Sequence, residues 1–89
     1  MNQEQAGCAM VLKEEHVYFG GMGLTYRLSA RSIEGVYQYS IGVGFGSEYR
    51  EMDVGQDLEL AVTYYRSIVS GRVTPCALED VLQDLCNYA

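Results

Sequence analysis

One histidine, His16, and three cysteines without a CxxC pair leave few ways to build covalent or metal chemistry into this chain. A Ser-His or Cys-His arrangement must use His16, which sits between Glu15 and Val17 and reads as a surface residue of a strand. An odd number of thiols, Cys8, Cys76 and Cys86, fits neither a paired disulfide frame nor a zinc site. Basic residues are also scarce: six Lys and Arg face twelve Asp and Glu, a net charge of -6. Such a field repels nucleic acid and anionic lipid surfaces. No apolar run is long enough to cross a bilayer, and Met1 to Met10 has neither the basic nor the apolar region of a signal peptide. A cytoplasmic protein with free thiols is the expectation.

What is present is the balance of a folding domain. With 89 residues, 48% hydrophobic and 20% charged, the chain has material for one core and too little polarity for disorder. No repeat, linker or low-complexity segment divides it, so residues 1–89 are expected to form a single domain. Its expected parts are a polar tail over 1–10, a β-meander over about 11–54 and a helical hairpin over about 56–88.

The β signal lies in the alternation of apolar residues. Val11 to Phe19 favours a first strand, and Gly20, Gly21 and Gly23 supply the freedom that a turn requires. Leu24, Tyr26, Leu28 and Ala30 then alternate with Thr25, Arg27, Ser29 and Arg31, the period of a half-buried strand. Alternation resumes at Tyr37, Tyr39, Ile41, Val43 and Phe45. Because paired residues share a face, the turn length can be tested by register. A two-residue Glu34-Gly35 turn sets Ala30 against Tyr39, Leu28 against Ile41, Tyr26 against Val43 and Leu24 against Phe45. A three-residue turn sets Leu28 against Ser40 and Tyr26 against Gly42, so the shorter one is predicted. Ser47 to Val54, charged but carrying Tyr49, Met52 and Val54, reads as an edge strand.

Two helices follow. Leu60, Ala61, Tyr64, Tyr65, Ile68 and Val69 recur at helical spacing after the acidic start Asp57 and Glu59, and Gly71 marks the stop. Thr74 reads as the N-cap of a second helix with Pro75 in its first turn and Leu78 stapled to Val73. Leu78, Val81, Leu82 and Leu85 form its buried stripe. The fold class is α+β: an antiparallel meander of three to four strands, then a two-helix hairpin packed on one face.

Several segments of this second half match a known pattern. Met52-Asp53-Val54, the acidic start at Asp57 and Glu59, Ser70-Gly71-Arg72-Val73-Thr74-Pro75, and Leu78, Asp80-Val81-Leu82 and Asp84-Leu85 resemble a family of small uncharacterised bacterial proteins of Firmicutes type, classed as a domain of unknown function. Its pattern of a hydroxyl before proline, then Leu-x-Asp-Val and a second Asp, falls on Thr74, Pro75, Leu78, Asp80, Val81 and Asp84. This chain departs from it with Ala77 where members carry histidine, and with Gly55 or Gln56 where a Ser or Thr cap is common. The resemblance implies a cytoplasmic bacterial protein and transfers no activity.

Each chemical motif has a plainer structural reading beside it. Cys76 reads as a small apolar plug beneath the second helix, with a dipole-activated thiolate as the functional alternative. Asp80 and Asp84, one turn apart, could share a cation, but no third ligand is in view, and a solvated acidic face explains them. Gly42-Val43-Gly44-Phe45-Gly46-Ser47 lacks the third glycine and the following helix of a phosphate loop. A helix-turn-helix reading fails on charge, since Pro75 to Asn87 carries three acids and no Lys or Arg. No catalytic residue, cofactor or metal is expected.

The remaining signals point to binding. Gly42 and Gly44 fall opposite Arg27 and Thr25 on the non-core face, leaving a strand of nearly bare backbone for another segment or protomer to approach. Eight tyrosines exceed the needs of a small core and suit an interface. The sequence thus predicts a non-catalytic, self-associating or protein-docking module, a homodimer or a complex with another protein. Its expected contact residues are Thr25, Arg27, Gly42, Gly44 and Tyr49. The alternative is a small-molecule-binding regulatory domain with a tyrosine-lined pocket between helices and sheet.

Overall fold

Glycine-bearing two-residue turns set the geometry of the sheet. In the computed structural model, which describes residues 9–87, Gly20 and Gly21 take φ of 61° and 81°, and Glu34 and Gly35 take 51° and 81°. Left-handed backbone at both central positions matches the twist of the flanking strands and closes tight hairpins. They join β1 (Ala9–Phe19) to β2 (Met22–Ile33), and β2 to β3 (Val36–Phe45). Gly46, at φ 63°, turns the chain into β4 (Glu48–Gly55). The four strands form one antiparallel sheet in chain order. Ala30, Leu28, Tyr26 and Leu24 stand opposite Tyr39, Ile41, Val43 and Phe45, the register that alternation predicts for a two-residue turn.

β1 is longer than its sequence suggests. It begins at Ala9, because β2 extends far enough to pair Ala9 with Arg31 and Met10 with Ala30. The end of the expected tail is therefore strand, while its first eight residues lie outside those described. Leu12 is an extra residue in this ladder: Val11 pairs with Ser29 and Lys13 with Leu28, so the face pattern changes phase there. Val54 plays the same part in β4, between the pairs Tyr39–Gly55 and Ser40–Asp53.

α1 (Leu58–Ser70) starts on a side-chain cap: Asp57 accepts hydrogen bonds from the backbone N–H of Glu59 at 3.0 Å and of Leu60 at 3.2 Å. The cap that Gly55 and Gln56 do not supply comes from Asp57. At the other end, Arg72 N–H donates to Val69 O and Val73 N–H to Ile68 O, the pairing of a Schellman motif. Its left-handed residue is Arg72 at φ 49°, whereas Gly71 keeps a helical φ of -82°. A 3-10 turn (Pro75–Ala77) leads into α2 (Leu78–Asn87). Thr74 has cap backbone geometry but makes no side-chain cap hydrogen bond, its hydroxyl lying 3.6 Å from Cys76 Sγ instead.

Both helices cover one face of the sheet. Leu24, Tyr26, Leu28, Tyr39, Ile41 and Val43 meet Ala61, Tyr65 and Ile68 of α1 and Leu78 and Leu82 of α2. Burial of each large aliphatic side chain contributes about 1.5–3 kcal/mol, which is what holds these short helices in place. Two buried phenols add direction. Tyr26 donates to Val73 O at 3.0 Å, and Tyr65 donates to Tyr26 O at 3.3 Å, tying the interhelical loop and α1 to the same strand. No helix among the described residues is long and apolar enough to cross a membrane.

Candidate functional site

The face of the sheet away from the helices gathers all five expected contact residues. Thr25, Gly44 and Tyr49 lie in line across β2, β3 and β4, and Arg27, Gly42 and Glu51 form the adjacent row. An open recess of about 300 Å³ is lined by Thr25, Arg27, Gly44 and Tyr49 among others.

The bare backbone of this strand is already covered from within. A Cβ at Gly42 would lie 2.7 Å from Tyr49 Cζ, and one at Gly44 would lie 3.3 Å from Tyr49 Cδ1. The tyrosine ring thus lies across both glycines, and the close approach they permit is used by a side chain of the neighbouring strand. Arg27 closes over the ring with its guanidinium carbon 5.9 Å from the centroid, and Tyr49 donates to Glu51 Oε1 at 3.3 Å. Burial against the glycine backbone raises the Tyr49 phenol above the usual tyrosine range, Glu51 adds to the rise and Arg27 opposes it.

A polar chain runs on to β1. Arg27 Nε donates to Glu14 Oε1 at 3.3 Å, and this bond tightens the hold of the guanidinium on its proton. Glu14 Oε2 lies 3.2 Å from His16 Nε2, and His16 Nδ1 lies 3.2 Å from Thr25 Oγ1. A carboxylate only accepts, so in neutral imidazole the proton sits on Nε2 and Thr25 donates to Nδ1. Hydroxyl, imidazole and carboxylate therefore line up, a connection that sequence spacing did not reveal. The His16 side chain is 60% exposed, Glu14 is shared with Arg27, and the backbone of central strand β2 is committed to ladders on both sides. No backbone donors of β2 are free to stabilise an oxyanion beside Thr25. The chain of contacts ties β1 to β2.

The other candidates separate. Cys76 is exposed, so it is no plug beneath the helix, and Cys86 is exposed too. Asp80 and Asp84 stand on the solvent side of α2, and no group of three metal-binding side chains occurs among the described residues. Tyr26 and Tyr65, rings that a pocket between helices and sheet would offer, are fully buried and fill that space themselves. Cys8 and Tyr88 lie outside the described residues.

The unexpected feature is at the β1 side of the sheet. The helices pack mainly on β2, β3 and β4; β1 reaches this layer through Glu15, which Tyr65 approaches, and Val17, which packs on the core, while its first residues are exposed. Met10, Val11 and Leu12 are 53%, 51% and 40% exposed, and Ile33, Val36 and Tyr37 at the adjoining end of the β2–β3 hairpin are exposed as well. Tyr37 stacks on Tyr39 at 6.4 Å between centroids, extending the core surface past the helix layer. The signal for this patch was the run Met10-Val11-Leu12, obscured by its place at the start of a polar segment.

Comparison with known families, curated proteins and solved structures gives no match.

Proposed function

We propose that this chain is a non-catalytic protein-interaction module of a bacterial cytoplasm that docks through the β1 end of its sheet. The observation that carries the reading is the set of six large apolar side chains exposed at one end of the sheet: Met10 and Tyr37 on its helix side, Val11, Ile33 and Val36 on its open side, and Leu12 at the bulge. A cluster of this kind on a small acidic protein is costly to leave in water and marks a contact surface. The open face around Tyr49 supports the same assignment by contrast, since its polar groups and glycines are engaged within the chain. The family resemblance of the Thr74–Leu85 segment concerns caps and core, and it is compatible with a role that needs no reacting group.

The test is a paired variant, Leu12→Glu with Tyr37→Lys, which alters the patch and leaves the buried residues intact. Wild-type chain is expected to associate, with itself or with a copurifying protein, and the variant to lose that association with an unchanged circular dichroism spectrum. A wild type that stays monomeric and bound to nothing overturns the reading, and a variant that still associates removes the patch from it.

A further inference from the structure

β1 is an edge strand of eleven residues, so one row of its backbone N–H and C=O groups faces away from β2. The opposite edge strand, β4, is shorter, and Glu48, Arg50, Glu51 and Asp53 occupy half of its eight positions. We infer that β1 pairs antiparallel with β1 of a second copy about a twofold axis at Glu14, setting Lys13 of each protomer opposite Glu15 of the other. This rests on the interaction-module reading and names its partner.

The register follows from faces. Two antiparallel strands related by a twofold normal to the sheet must pair residues that project to the same side. Lys13, Glu15 and Val17 project to the helix side, being opposite Leu28, Tyr26 and Leu24, while Glu14 and His16 project to the open side. Past the extra residue Leu12 the phase changes, so Met10 joins the helix side and Val11 the open side. With the axis at Glu14 and Leu12 held out of the ladder, Lys13 meets Glu15, His16 meets Val11, Val17 meets Met10 and Tyr18 meets Ala9. Every pair shares a face. The helix-side pairs are two opposite-charge contacts flanked by two apolar ones, and the pairing covers Met10 and Val11, which are otherwise exposed.

Neighbouring registers do worse. An axis at Lys13 sets Lys against Lys, and an axis at Glu15 sets Glu against Glu. In the favoured register Glu14 meets its twin, but each Glu14 is already held by Arg27 and His16. A bulge and inward charges deter pairing with an arbitrary strand. A second copy carries the same bulge at the symmetric place and the same charges in complementary order, so this edge admits its own sequence and excludes others.

Charge reversal tests the register. In Lys13→Glu, both cross-strand pairs become Glu against Glu; in Glu15→Lys, both become Lys against Lys. Wild type is expected to sediment as a dimer at micromolar concentration, and each variant alone to dissociate roughly ten- to a hundredfold more readily. An equimolar mixture of the two variants restores both opposite-charge pairs and is expected to recover the dimer. Circular dichroism checks that each variant is folded, and Lys13→Glu serves alone if Glu15→Lys is not. A variant that dimerises like wild type, or a mixture that does not recover, overturns the inference. So does a monomeric wild type; if a copurifying protein is then lost from the Leu12→Glu, Tyr37→Lys variant, the module reading stands and only self-pairing falls.

Discussion

Glycine at position 42 leaves room for the Tyr49 ring, and that single contact organises the open face. An alanine Cβ there would overlap the phenol, with Tyr49 Cζ only 2.7 Å away. Tyr49 is half exposed and can swing outward, so the expected cost of Gly42→Ala is about 1–2 kcal/mol in urea denaturation, at the lower end of overpacking effects. In a Tyr49→Ala background the same substitution should cost almost nothing, since nothing remains to displace and alanine suits a strand better than glycine. A full cost in both backgrounds would show that the ring is not the obstacle. The glycine pattern was visible in sequence and its consequence was not. Spacing places Gly42 opposite Arg27 on the non-core face, but which residue fills the gap depends on how β4 lies against β3, and that strand is weakly patterned.

Among the elements, the two helix starts look alike in sequence and differ in mechanism. Asp57 caps α1 through two backbone N–H groups, whereas Thr74 makes no side-chain cap and α2 is introduced by a 3-10 turn at Pro75. Asp57→Ala should therefore destabilise the fold by about 1 kcal/mol, and Thr74→Ala by much less, when both are compared by thermal melting. Equal losses would show that Thr74 caps α2 in solution. The end of α1 carries a related lesson: its left-handed residue is Arg72, one position past Gly71, because Val73 must reach both Ile68 O and the core. Gly71 signals the stop from sequence, while the residue that bends the chain is set by where Val73 is buried.

At the scale of the whole molecule, buried phenols link stability to pH. Burial raises the Tyr26 hydroxyl above its ordinary range, opposed by Arg72; burial first, then the carboxylates of Glu15 and Glu14, raise that of Tyr65. A folded-state pKa above the unfolded one means that the native state holds its proton more tightly. This contribution is fully present below the unfolded tyrosine value of about 10 and is lost as pH rises through the folded value. Denaturation midpoints should be level from neutrality to about pH 10 on this account and fall beyond it. Tyr65→Phe should lower the midpoint at neutral pH and flatten the alkaline fall; an unchanged alkaline slope in that variant would remove Tyr65 from the linkage.

Local chemistry by itself determined the meander, the β2–β3 register and the two amphipathic helices. Period, face matching and turn residues act over a few positions and need no distant partner. Only the tertiary structure decided how far the helix layer reaches. That layer stops short of the start of β1, so Met10, expected at the end of the tail, and Val11 and Leu12, expected to open the first strand, are left exposed. It also decided that the glycines of β3 serve Tyr49. Both outcomes depend on which elements meet across the sheet, a matter of packing between residues far apart in the chain, on which short-range patterning is silent.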